Sequence, residues 1–391
     1  MLSQRVSHLS ESITVAISSL AKELKANGKD ILSFSAGEPD FDTPEAVKKA
    51  AIDAIESGFS KYTAVSGAPE VLKAVSNKLL RDNDLDYKPS DIVLNVGAKH
   101  SLFALFQAII DHEDEAIIPS PYWVTYPEVI AYCNGKSVFL PTDDSTNFKI
   151  TPKQLKEAIN PKTKVFILNN PSNPTGSVYT KEELEALAKT LEGTNVLVVA
   201  DEIYEKLLFE DVKFTSFASL SEDAFKRTIT INGLSKSAAM TGWRFGYLAT
   251  PNKEIINAVK KLQSQSVSNI TSIIQKAAIP ALDGTIDTDI EFMRKTFQKR
   301  RDLAVNALNA IDGISVVVPS GAFYIFANIK KLSDDSMKFC KELLEDVGVA
   351  VVPGIGFGMD GYFRFSYATD EKSIIEGAKR ISSFVKNKYH R

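Results

Sequence analysis

Five short apolar runs in this chain each end in residues that can do chemistry. Ile92–Val96 leads into Gly97, Ala98 and Lys99, which open the helical run His100–Ile110. Small residues at a helix start leave backbone N–H groups free to hold a phosphate, though the same residues also make a plain strand–helix turn. Ala116–Pro119 leads to Trp123, whose indole can stack on a planar ring or fill a core. Val165–Asn169 leads through Asn170 to Asn173 in a loop dense in turn residues. Val196–Ala200 leads to Asp201, with Tyr204 three residues on. A carboxylate at the end of a buried strand needs an ion-pair partner or a functional reason. Thr228–Asn232 leads to Gly233, Leu234, Ser235 and Lys236, with Arg244 eight residues further. Desolvation among small residues would lower the amine's pKa and make Lys236 a nucleophile toward carbonyls.

Each feature has a bland reading when taken alone. In order, at successive strand ends, they form a set: a phosphate turn, a stacking ring, an amide, an Asp–Tyr pair, an amine and a guanidinium. That set meets the needs of pyridoxal phosphate, which takes a lysine for its aldehyde, a carboxylate for its ring nitrogen, donors for its ring hydroxyl and a cup for its phosphate.

The elements that must position these residues follow from periodicity. Strands alternating with helices predict a mostly parallel α/β sheet, and ligands of such sheets bind at the carboxyl ends of the strands. Thr151-Pro152 with Gln154, and Thr180 with Glu183, have the spacing of capping boxes. Ile13, Ile17, Leu20 and Leu24 share one face of an amphipathic helix that stops at Asn27-Gly28. Thr43-Pro44 opens a second helix with proline at its first position. A charged helix over 291–310, strands at Ser315–Val318 and Phe323–Ala327, and a last helix near 371–387 predict a smaller α+β part. The expected division is a large α/β domain over 46–284, and a small domain from 1–45 and 285–391.

Composition narrows the function classes. The 391 residues suffice for about two domains. A net charge of −3, from 46 basic and 49 acidic residues, gives no excess for nucleic acid or an anionic membrane. Cys133 and Cys340 lie far apart and outside any CxxC, which fits reduced thiols in a cytoplasmic protein. The amphipathic N-terminus does not read as a secretory signal. His8, His100, His112 and His390 make no ligand spacing, and the acidic run 111–115 reads as a solvated loop, so no metal is expected. The Gly354, Gly356 and Gly358 spacing lacks a dinucleotide βαβ context and reads as a turn near the site.

Motifs along the whole chain resemble the class I/II aminotransferases of the fold-type I pyridoxal phosphate enzymes, in particular the bacterial aspartate aminotransferase subgroup. They are SAGEPDFDTPE (35–45), KYTAVSGAPE (61–70), PSPYWVTYPE (119–128), NNPSNPTG (169–176), DEIY (201–204), SKSAAMTGWRFGY (235–247) and FRFSYAT (363–369). The resemblance implies that Lys236 forms the imine with the cofactor and shuttles the substrate proton. It implies that Asp201 pairs with the pyridine nitrogen, that Asn173 and Tyr204 meet the ring oxygen, and that Trp123 stacks on the ring. Gly97, Ala98, Lys99, Ser235 and Arg244 would form the phosphate side. Tyr62 resembles a tyrosine that reaches the phosphate of the neighbouring subunit, which implies a homodimer with shared sites. Gly37 and Arg364 would bind the substrate α-carboxylate; a planar guanidinium meets a carboxylate bidentately. Two positions depart from the pattern: Phe245 follows the arginine, and Gly233 stands where many relatives carry a phosphate-binding serine.

The implied reaction is ping-pong transamination, from L-aspartate to 2-oxoglutarate. Lys99, in a segment resembling the GGK of the aspartate-preferring subgroup, would meet the side-chain carboxylate, or else only support the phosphate. The alternatives are a prephenate or aromatic aminotransferase, a C–S lyase on the same fold, and a non-catalytic regulator, which would usually append a DNA-binding domain.

Overall fold

The structure is a computed structural model that describes residues 3–7 and 9–389. His8 and His390 lie outside the described residues. At its centre is a seven-stranded sheet of β1 (Ile92–Val96), β2 (Glu115–Ser120), β3 (Lys136–Pro141), β4 (Thr163–Asn169), β5 (Leu197–Asp201), β6 (Thr228–Gly233) and β7 (Phe245–Ala249). Their spatial order is β1-β7-β6-β5-β4-β2-β3. All neighbours run parallel except β7, which is antiparallel to both β1 and β6.

The five strands expected from apolar runs are present, each shifted by no more than two residues at either end. They are legible because their side chains are buried on both faces, so they read as nearly continuous apolar stretches. β3 and β7 were not anticipated. β3 is an edge strand with only one buried residue, Leu140, so its sequence carries little pattern. β7 is fully buried, but only 11 residues (234–244) separate it from β6. A parallel return needs a crossover of about a dozen residues or more, so so short a link is consistent with the antiparallel pairing seen.

Both capping boxes form. Thr151 Oγ1 accepts from Gln154 N–H at 3.2 Å while Gln154 Oε1 accepts from Thr151 N–H at 2.9 Å. Thr180 and Glu183 repeat the exchange at 3.2 and 2.8 Å. The expectation for Pro44 needs correction. The helix starts at Glu45, and Pro44 sits just outside it with ψ 144°. Thr43 does not cap that helix; its hydroxyl donates to Ala239 O and accepts from Trp243 Nε1, tying the 35–45 segment to the loop after β6.

A second, antiparallel sheet contains β8 (Ser315–Val316), β9 (Tyr324–Asn328), β10 (Val352–Pro353) and β11 (Tyr362–Ser366), in the order β10-β11-β9-β8. Leu32–Ser33 pairs with Val349–Ala350, which ties the N-terminal segment to the C-terminal part of the chain. The long helices Asp287–Asn309 and Glu371–Tyr389 flank this region. Among the described residues no helix is long and apolar enough to cross a membrane, and no cluster of His, Cys, Asp or Glu could hold a metal ion.

Candidate active site

The carboxyl ends of the central strands open into a cavity of about 560 Å³, whose floor and walls include Asp201, Tyr204, Ser235, Lys236, Arg244 and Arg364. Of the residues singled out in the sequence, Gly37, Ala98, Lys99, Trp123 and Asn173 also line it. Tyr62 does not; it is 90% exposed.

Gly97 ends β1 with φ 80°, and helix Ala98–Ile109 starts at once. A Cβ on Gly97 would lie 2.3 Å from Arg244 Nη2, and one on Gly246 would lie 2.3 Å from Ala98 N. The two glycines therefore let a guanidinium and a helix N-terminus close on the same spot, a cup for an anion. Gly233, one of the two departures, has its own packing reason. A Cβ there would come within 2.7 Å of Phe245 O, so a serine could not enter without a shift of β7.

Asp201 is 3% exposed at the end of β5. Its Oδ2 accepts from Tyr126 OH at 2.7 Å, and its Oδ1 takes only a long contact of 3.4 Å from Ile203 N–H. Burial pushes the carboxyl up to about 6, against the opposing pull of these hydrogen bonds and of Lys236. Lys236 Nζ donates to Gly37 O at 2.5 Å. Burial, then the charges of Arg364 and Arg244, bring its amine down to about 8, with Glu38 and Asp201 pulling the other way. Arg364, 2% exposed, donates to Asn173 Oδ1 at 3.0 Å and to Ser35 O at 2.9 Å, and its buried Nε has no partner. Its guanidinium lies over the rings of Tyr324 and Phe357, at 4.4 and 4.9 Å. Phe357 belongs to the glycine-spaced turn at 354–358, which thus borders the site.

Lys99 Nζ sits 5.0 Å from the centre of the Trp123 ring, with its pKa lowered by burial and then by Arg244. Lys99, Lys236, Arg244 and Arg364 all line one cavity, and among the described residues none forms an ion pair. Only Glu38 and Asp201 offset them there. Arg364 is buried and Lys236 half-buried, while Lys99 and Arg244 stand at the open side of the cavity. A buried cation without a counter-charge is unfavourable unless a ligand supplies it. The site is built for an anionic cofactor and an anionic substrate.

The comparisons with known proteins agree with that chemistry. A family profile described as "Aminotransferase class I and II" matches residues 29–381. The chain belongs to the class I and II aminotransferases. It is 47% identical to an aspartate aminotransferase of Bacillus sp. (strain YM-2), over 99% of both chains. It is 46% identical to a probable aspartate/prephenate aminotransferase of Aquifex aeolicus (strain VF5), over 97% of both. Aspartate aminotransferase from Thermus thermophilus, solved with maleate, superposes with a TM-score of 0.94 at 42% identity, covering 98% of this chain and 99% of that one. As a member of this family the protein is a transaminase that depends on pyridoxal phosphate. The residues fit that group: an open Oδ1 on Asp201, a carboxylate-free amine on Lys236 and a glycine-lined anion cup.

Sequence reasoning missed several residues of this aminotransferase site. Tyr126 stands three residues after Trp123, the spacing that puts both on one side of a helical turn, and the two rings meet edge to face at 5.5 Å. That spacing could have revealed it. Tyr324 shares a 2.9 Å hydrogen bond between hydroxyls with Tyr204 and comes from β9 of the small sheet, which no local signal connects to Tyr204. Thr14 and Val15, from helix Ile13–Ala26, and Asn169, Glu38 and Thr241 complete the wall.

Proposed function

We propose that the protein is an aspartate aminotransferase that passes the amino group of L-aspartate to 2-oxoglutarate in two half-reactions, with pyridoxal phosphate held on Lys236. The observation that carries this reading is the pair of cations without a carboxylate partner, Arg364 and Lys99, in one cavity with Lys236. A dicarboxylic amino acid satisfies both; a monocarboxylic one leaves Lys99 unpaired.

When bound, pyridoxal phosphate supplies an aldehyde for amines and a ring that accepts electrons from the substrate α-carbon. Ser235, Arg244 and the N–H groups at Gly97, Ala98 and Lys99 would hold its phosphate. Asp201 Oδ1 would keep a proton on its ring nitrogen. Trp123 would cover one face of the ring, and Tyr204 with Asn173 would meet the ring oxygen. Asn173 has a second task, because its Oδ1 already accepts from Arg364. Arg364 and the Gly37 segment would seat the α-carboxylate, and Lys99 the distal one. Lys236 Nζ, with its lowered pKa, is placed to take the α-proton and return it.

The same reading assigns a homodimer. Tyr62 is exposed and does not line its own cavity, and exposed Val267 borders an apolar surface beside Lys99, His100 and Arg244, in keeping with a partner that contributes to the site. It divides the chain into a large domain, 46–284, and a small one, 1–45 with 285–391, in keeping with the two sheets and the pairing of Leu32–Ser33 with Val349–Ala350. A cytoplasmic location accords with the two unpaired cysteines. Prephenate, the second reading, also carries two carboxylates and would use the same cation pair.

The test is the visible spectrum of the purified protein before and after L-aspartate alone. A yellow band that converts to the pyridoxamine form supports the reading; a band that ignores aspartate but responds to other amino acids rejects the substrate. Lys99→Ala should lower kcat/KM for aspartate by about tenfold to a hundredfold, the range for one charge-assisted contact, and leave alanine nearly unaffected. Equal losses for both substrates would confine Lys99 to the phosphate.

A further inference from the structure

The turn after β5 has two faces. Asp201, Ile203 and Tyr204 point into the active-site cavity. Glu202 and Glu205 are also buried, at 2% and 7% exposure, but do not line that cavity. Glu205 meets the last turn of helix Pro69–Asn83. Its Oε1 accepts from Lys78 Nζ, and its Oε2 accepts from Asn83 Nδ2 at 2.5 Å. Lys78 also donates to Asn83 Oδ1 at 2.7 Å, which closes a ring of three buried side chains. Next to it, Lys206 pairs with Asp82 of the same helix at 2.8 Å.

The sheet holds only the start of this turn. The paired residues of β5 end at Asp201. Beyond it the backbone bonds are one from Glu202 N–H to Ile231 O of β6, two within the turn, Glu205 N–H to Glu202 O and Leu207 N–H to Tyr204 O, and one from Ala322 N–H to Leu207 O. Glu202 Oε1 also accepts from Ser216 Oγ and Phe217 N–H. The ring of Lys78, Asn83 and Glu205 supplies a rigid anchor on the outer side. A buried ion pair is weak evidence for stability, since apolar residues of equal volume usually serve as well. Its value lies in directional bonds that admit one geometry.

We propose that Lys78, Asn83 and Glu205 are positioning residues: by pinning the outer face of the 201–206 turn to helix Pro69–Asn83 they fix Asp201 and Tyr204 for the reaction. This rests on the reading of Asp201 and Tyr204 as cofactor residues. It extends the active site through the sheet layer to a helix that contributes no residue to the cavity.

The test compares holoenzymes of wild type, Lys78→Met, Glu205→Gln and the triple variant Lys78→Met, Asn83→Leu, Glu205→Leu. Lys78→Met strands a buried carboxylate and should lower Tm; the triple variant should recover most of that loss. Its kcat should nevertheless stay about tenfold to a hundredfold below wild type, the effect of small misplacements of reacting groups, with KM for the amino donor little changed. The visible circular dichroism of the bound cofactor, which reports its orientation, should change with kcat. A triple variant with wild-type kcat and dichroism would reduce the ring to a stability element and overturn the proposal. Should the triple variant not accumulate, Glu205→Gln decides on the same two readouts: a change in both supports positioning, and wild-type values reject it. Failure of the underlying site reading shows separately, as a wild-type protein with no cofactor band.

Discussion

Lys236→Ala should lower turnover by about ten-thousand-fold, the upper range for loss of a general acid–base, while leaving the protein folded and able to hold the cofactor noncovalently. Among the described residues the cavity offers no substitute. Lys99 is the other lysine of the cavity, and it lies over Trp123, a residue assigned to the ring face and not to the proton path. Single-turnover spectra with aspartate measure the loss; near-normal rates would remove Lys236 from its role. Stability should move the other way. In the cofactor-free protein burial, Arg364 and Arg244 lower the amine from 10.5 to about 8. Between these values the unfolded chain binds more protons than the folded one, so wild-type stability rises with pH across that window. Below about 8 the full penalty is present, and the alanine variant escapes it. Cofactor-free Lys236→Ala should therefore melt above cofactor-free wild type at pH 7, with the gap closing toward pH 10.5. An active site that weakens its own fold is common where function needs an unpaired charge.

That strain also explains what the sequence disclosed. Lys236, Asp201, Asn173 and Arg244 were legible because each follows an apolar strand or sits in its turn, where a run of polar and charged groups at successive strand ends is hard to explain by packing alone. Tyr126 and Tyr324 were not, because a tyrosine in an apolar neighbourhood is ordinary core. Their importance depends on which hydroxyl each meets, and that is settled by a helix and a second sheet closing on the cleft. β3 escaped because an edge strand has too little burial to enforce alternation, and β7 because its Gly246 serves the anion cup as well as the ladder. Strand ends are local facts; the pairing of side chains across two sheets is not. The same division holds for Lys78, Asn83 and Glu205, whose ring joins residues 122 to 127 positions apart in two of its three bonds.

Asp201→Asn should lower kcat by about a hundredfold to a thousandfold, comparable to removing a preorganised electrostatic contact in other enzymes. The change is nearly isosteric, and an amide oxygen can still accept from Tyr126 OH, so the fold and the 2.7 Å contact should survive. What disappears is the negative charge that, on the proposed reading, would keep a proton on the cofactor ring nitrogen, and with it the pull on electrons from the substrate α-carbon. Tyr126 matters to this balance: its hydrogen bond opposes burial and holds the Asp201 carboxyl at about 6, low enough to stay ionised at neutral pH. The sign of the pH effect follows. As pH falls through about 6 the cofactor-free protein protonates Asp201, loses its charge and binds pyridoxal phosphate more weakly, a limb separate from the one that Lys236 sets near 8. In the holoenzyme a protonated ring held by Asp201 would place a positive charge beside the carboxylate, and this limb would move lower. Equilibrium titration of the cofactor-free protein should show the acid limb in wild type and lose it in Asp201→Asn. Should the limb persist in the variant, another group governs cofactor binding, and the carboxylate at the end of β5 is structural.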